Sequence, residues 1–161
     1  MSGILVNGTM YNESKYLQVK GGYKYQVAPT YFCVNIEPFV KKKERAILNF
    51  DVVTDWMILK CGFMILKYGF ACDGPSGPTV DSDNFMIGAH VHDGYYKLMR
   101  MEFIPAKYRK IIDKILYRMN RAAGMNLFRA NYIYVNVRAF SGFAIKPKNK
   151  AKIRKIPVKW L

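Results

Sequence analysis

Apolar and polar positions alternate in short runs through residues 1–72, and after Asp83 the spacing lengthens to the three-and-four interval of helices. YLQVKGGYKYQV (16–27) holds two Tyr/Val-rich runs around Gly21-Gly22, the pattern of a hairpin. TYFCVNI (30–36) is a third β-prone run that stops near Pro38, and Lys41-Lys42-Lys43 follow as an exposed loop. Within AILNFDVVTDWMILKCGFMILKYGF (46–70), MILKCGF is repeated at once as MILKYGF. One repeat is too short for a solenoid. It predicts two consecutive strands turning at Gly62, with Gly69 at the exit.

The second half reads as three helices. Asp83 or Asn84 caps the first, whose apolar stripe includes Met86, Ala89, Tyr96 and Met99. Pro105 opens the second, with Tyr108, Ile111, Ile112, Ile115 and Met119 on one face and Gly124 as terminator. The third runs from about Asn126 to Phe140, with Leu127, Ala130, Tyr134 and Val137 inward and Gly142 past its end. Strands first and helices second predict an α+β fold: N-terminal antiparallel strands packed against a C-terminal three-helix segment, with a basic tail. The 161 residues fit one domain over 1–142, comprising a strand-rich 1–72, a motif loop 70–83 and helices 84–142, plus a basic extension over 143–161.

Charge divides the chain unevenly. Residues 1–72 carry nine Lys/Arg against five acids, 73–113 five against six, and 114–161 twelve against none, within a net charge of +15. Such a field favours anionic partners: nucleic acid, acidic polymers or acidic protein surfaces. In the tail, Lys146, Lys148, Lys150, Lys152, Arg154, Lys155 and Lys159 form the candidate anion-binding set, and no aromatic residue is interleaved before Trp160. The tail reads either as a plain solubilising extension or as an arm that contacts phosphates without reading bases. Cys33, Cys61 and Cys72 lack zinc-site spacing and are expected as thiols in a reducing compartment. No signal peptide is expected, and no membrane span, since Lys60 and Lys67 interrupt the most apolar window.

The candidate chemistry lies in FACDGPSGPTVDSDNFMIGAHVHDGYYKLMR (70–100) and the helix after it. Both histidines and six of the eleven acids fall between Asp73 and Asp113. Helical spacing turns His92 inward beside Gly88 and Ala89, and swings Asp93 about 100° away. Packed helices would bring His92 or Asp93, Asp113 and Arg138 together, with Asp73 and Ser76 supplied by the loop. One reading is a metal or acid–base site, in which His92, Asp93 and Asp113 hold a divalent ion and Asp73 acts as base. The other is a buried His/Asp/Arg hydrogen-bond network that locks the helices, and it is the favoured one, because buried charges must be paired. Ser76 has no nucleophile elbow around it and serves the Gly/Pro turn.

G-F-x-C-D-G-P-S-G-P (69–78), V-H-D-x-x-Y (91–96), Asp113 in the next helix and V-R-x-F (137–140) together resemble a phage and prophage family known as domain of unknown function 1353. The likeness covers about residues 57–142. Asp73, Ser76 and Pro78 match the family's loop, His92, Asp93 and Tyr96 its helix signature, Asp113 its second helix, and Arg138 and Phe140 its third. Cys72 before the Asp and Ser141 after Phe140 depart from the pattern. The resemblance implies a phage origin and an α+β fold, but no settled activity. The expected function is a virion or assembly component, made in the host bacterial cytoplasm. It would bind phage DNA or neighbouring virion proteins through basic surfaces, around a structural cluster that includes Ser76, Tyr96 and Arg138. No cofactor is expected on this reading, and an oligomer is open. The alternative is a phage-encoded, metal-assisted hydrolase of peptidoglycan or a phosphoester, carried by Asp73, His92, Asp93 and Asp113.

Overall fold

Strands fill the first half of the chain and helices the second, the α+β order expected. The computed structural model describes residues 3–6, 9–12, 15–18, 25–28, 32–72 and 83–147. Strands β1 (Gly3–Val6) and β2 (Thr9–Asn12) form an antiparallel pair. β3 (Lys15–Gln18) and β4 (Tyr25–Ala28) pair antiparallel, as the YLQVKGGYKYQV pattern predicts, although the Gly21-Gly22 turn lies outside the described residues. The edge of β4 also receives β9 (Ala71–Cys72), the strand that leads into the motif loop.

The sheet that carries the core is four-stranded and antiparallel. Its order is β5 (Phe32–Asn35), β8 (Phe63–Leu66), β7 (Met57–Lys60) and β6 (Val52–Val53). The seven-residue repeat is its central hairpin, with Met57 opposite Leu66 and Lys60 opposite Phe63. Only Cys61 and Gly62 separate the two strands, and both have positive φ, 49° and 76°, as a tight two-residue hairpin turn demands. Alternation places Phe32, Val34, Met57, Leu59, Met64 and Leu66 on the buried face. Gly69, at φ 85°, ends the second repeat.

One stretch departs from the expected pattern. Lys41–Lys43 do not form a loop, because the chain winds into a 3-10 helix over Lys42–Asn49. Glu44 accounts for it: its carboxylate accepts from the Lys41 amide at 3.1 Å, and it is buried together with Ile47. The three lysines remain exposed.

Helix α1 (Asp83–Arg100) is the centre of the molecule and already includes the expected caps Asp83 and Asn84. Its buried residues run round the whole circumference, from Phe85 and Ile87 through Tyr95 and Tyr96 to Met99, so the stripe read from the sequence is only part of its contact surface. Two glycines let it be packed on both sides. A Cβ on Gly94 would stand 2.8 Å from Met57 and 2.9 Å from Met64 of the sheet, and one on Gly88 would stand 2.5 Å from Asn120 of the next helix. That helix, α2 (Arg109–Ala122), follows Pro105 and a 3-10 turn over Ala106–Tyr108, and Gly124 at φ 86° closes it.

Helix α3 (Leu127–Phe140) is capped by Asn126, whose side chain accepts from the Arg129 amide at 2.9 Å. Its inner residues are Ala130 and Ile133, which join Phe85, Ala89, Leu116 and Met125 in a second small core. Leu127 is not on the buried side as expected; it is half exposed. Gly142 lies past the end of α3 as expected, within a 3-10 helix over Ser141–Ile145 that follows directly. Ala144 and Ile145 pack on the main core. Among the described residues no helix is long and apolar enough to cross a membrane.

Candidate functional site

Asp113 sits on the inner side of α2 with no exposed surface, a position that would be prohibitive for a lone carboxylate. Three side chains from the other two long helices donate to it. His92 Nε2 of α1 lies 2.9 Å from Asp113 Oδ1, and the Tyr96 hydroxyl donates to the same oxygen at 2.7 Å. Arg138 Nη1 of α3 donates to Oδ2 at 2.7 Å. An ionised carboxylate has no proton to give, so His92 Nε2 carries the hydrogen. His92 and Tyr96, one turn apart on α1, stack with ring centres 4.0 Å apart.

Arg109 completes the arrangement and was not among the residues expected. Its Nε donates to the Tyr96 oxygen at 3.0 Å and stands 3.8 Å from Asp113 Oδ2. Its Nη2 donates to the carbonyls of Val137 and Arg138, both at 2.8 Å. Those carbonyls belong to the last turn of α3, where intrahelical donors run out and the helix dipole favours a cation. Gly142 leaves room for the guanidinium, since a Cβ there would approach Nη1 to 3.0 Å. One sequence signal was available: Arg109 and Asp113 are four residues apart on one helix face.

The electrostatics follow from this crowding. Burial disfavours the charged imidazole of His92, but the bond to Asp113 and the nearby carboxylate of Asp93, 3.8 Å from Nδ1, outweigh it and raise the His92 pKa. Burial likewise works against an ionised Asp113, but its bonds from His92, Arg138 and Tyr96 prevail and hold the carboxyl below its usual range. The Asp113 bond also raises Arg138. Burial raises the Tyr96 phenol, so it remains a donor. The site is a charged, fully partnered node joining α1, α2 and α3.

A second node ties the helices to the strand half. Arg118 of α2 holds Glu44 through two bonds of 2.6 and 3.1 Å and also donates to the Phe39 carbonyl at 2.8 Å. The Arg118 bond depresses the Glu44 pKa. Near the end of the strand half, the Lys97 ammonium lies 4.3 Å from the centre of the Trp56 ring and 5.0 Å from that of Phe70, with its pKa lowered by burial and then by Arg100.

The structure therefore brings together His92, Tyr96, Asp113 and Arg138, with Asp93 at the margin. Asp73 and Ser76 lie outside the described residues, as do Lys148, Lys150, Lys152, Arg154, Lys155 and Lys159, whereas Lys146 is described and exposed. His90 is fully buried, its Nδ1 2.7 Å from the Met86 carbonyl, and burial lowers its pKa.

Chemically, both Asp113 oxygens already accept from protein donors, and two guanidiniums stand beside one of them. His92 presents Nε2 to Asp113 and Nδ1 to Asp93, and is only 6% exposed. A divalent ion at Asp113 would have to displace hydrogen bonds and sit against fixed positive charge. Among the described residues, no group of three or more His, Cys, Asp or Glu is arranged to hold a metal. The set suits holding helices together better than ligating an ion. No family model matches this chain, and neither a curated protein nor a solved structure matches it.

Proposed function

We propose that this protein is a non-enzymatic bacteriophage virion or assembly component. On this reading it binds DNA or acidic neighbouring virion proteins through its basic surface, and the Asp113 node is a structural lock. The observation that carries the proposal is the saturation of that node. The most chemistry-rich cluster of the described residues centres on a fully buried carboxylate, and its donors and acceptors face one another. After Asp113 the chain has twelve Lys/Arg and no acid, and of these Arg118 and Arg138 are held in the two nodes. The phage origin rests on the likeness of residues 57–142 to the domain of unknown function 1353.

Duplex DNA labelled with a fluorophore gives the test. Phosphate contact by the seven cations of residues 146–159 makes affinity fall by roughly three to four orders of magnitude between about 50 and 200 mM salt. A chain ending at Pro147, which keeps the core residues Ala144 and Ile145, should lose most of that salt slope. Equal binding by the shortened chain would remove the tail from the account. Binding to an acidic neighbour with none to DNA would assign the same surface to protein. Hydrolysis of peptidoglycan or a phosphoester that is lost in Asp113→Asn without loss of stability would replace the proposal with the hydrolase.

A further inference from the structure

Helix α3 is apolar on more of its surface than its neighbours cover. Opposite the buried Ala130 and Ile133, helical spacing aligns Phe128, Tyr132, Val135 and Ala139. Phe128 is 86% exposed, Val135 61% and Tyr132 47%, and Ala139 is exposed as well. No charged residue falls on this stripe. The charges of α3, Arg129 and Arg138, lie on its two flanks, about a quarter-turn away. A helix apolar all round is ordinarily covered all round.

The residue order indicates what covers it. LFRANYIYVNVRAF keeps almost the same pattern of residue types when read backwards. Phe128 corresponds to Ala139, Arg129 to Arg138, Asn131 to Asn136 and Tyr132 to Val135. Two copies of such a helix, packed antiparallel about a two-fold axis, turn the correspondences within the stripe into contacts and keep Arg129 and Arg138 on opposite flanks, as a self-complementary two-fold interface requires. The large Phe128 then meets the small Ala139, and Tyr132 meets Val135.

We infer that the outer face of α3 is a dimerisation surface for a second copy of this chain, in an antiparallel helix pair centred between Tyr132 and Val135. The exposed side chains of Phe128, Tyr132 and Val135 offer on the order of 400 Å² per copy, about half of what each partner gives a standard stable interface. An interface of that size belongs to the weak, transient class. Each copy carries +15, so the two repel at long range while the contacting stripe itself is uncharged. Added salt screens that repulsion and tightens the dimer, the opposite of its effect on an anionic partner. The inference does not depend on what the basic surface binds.

Sedimentation velocity on the full chain, at about 0.15 and about 0.5 M salt, tests this. A monomer–dimer equilibrium is expected, with the dimer fraction larger at the higher salt. Val135→Arg should be monomeric with an unchanged circular-dichroism melt, since Val135 touches no core. Phe128→Ala should weaken the dimer at least tenfold, and adding Ala139→Phe should restore it, because the exchange preserves the pairing across the axis. A wild-type monomer at both salts would overturn the inference, as would a dimer that survives Val135→Arg. A monomer that binds phosphatidylglycerol vesicles, and loses that binding in Val135→Arg, would also overturn it and give the face to lipid.

Discussion

The donors that converge on the Asp113 carboxylate each limit what the others can do. The hydrogen on His92 Nε2 is required by Asp113, and the Tyr96 hydroxyl is fixed between Asp113 as its acceptor and Arg109 as its donor. Proton linkage follows with a definite sign. The folded-state pKa of His92 is raised above the ordinary 6.5, so its protonated form stabilises the fold fully below that value, and the contribution is lost as pH rises through the folded pKa. Asp113 runs the other way: its contribution is present above 3.8 and is lost as pH falls through its depressed folded value. Buried His90, with a lowered pKa, favours higher pH and opposes His92 near neutrality, so wild-type melting alone would mix the two. Comparison with His92→Gln, which keeps a neutral donor for Asp113, separates them. The wild-type advantage in melting temperature should be largest near about pH 5 and shrink towards about pH 9. An advantage that is flat across that range would mean that folding leaves the His92 pKa unshifted, and one that grows with pH would mean that His92 is neutral in the fold.

Elements meet at places where side chains are unusually small or unusually paired. Gly88 sets how closely α1 and α2 approach, because a Cβ there would meet Asn120 Oδ1 at 2.5 Å and Leu116 Cδ1 at 3.1 Å. Gly88→Ala should therefore destabilise the fold by about 1–3 kcal/mol, read from chemical denaturation, although alanine is the better helix former. A gain in stability would show that Asn120 can step aside. Much at this scale was legible in the sequence. The repeat predicted the β7–β8 hairpin with Gly62 in its turn, Gly124 marked the end of α2, and Asn126 capped α3. Helical spacing also turned His92 inward, and packing of the three helices was expected to bring Asp113 and Arg138 to it. What stayed hidden depended on distant partners. Glu44 reads as one more charge in a KKKER run, and only Arg118, 74 residues later, makes it a buried pair. Leu127 carries the helical signal of a core residue, and nothing local says that it stays half exposed among the described residues.

At the scale of the whole molecule, a sheet covers one side of a central helix, two further helices cover the other, and charged nodes fix the joints. The main core runs unbroken from Val27 through the sheet and α1 to Met119, and the second core joins α1, α2 and α3 at the far side. Removing the acceptor at the Asp113 node therefore disturbs three helices together. Asp113→Asn leaves Arg138 and Arg109 facing a neutral amide whose nitrogen is itself a donor and can accept from none of the groups that point at it. The cost should be about 3–5 kcal/mol, the range for breaking a buried ion pair, and nearer the lower end because Arg138 is one-third exposed. The central claim is that this cluster is a lock, and urea unfolding of wild type and Asp113→Asn at neutral pH tests it most directly. The account predicts a single cooperative transition in both proteins, with the midpoint of the variant lowered by an amount worth about 3 kcal/mol or more. A variant as stable as the wild type would contradict it, and would show that Asp113 is held in place for some other chemistry.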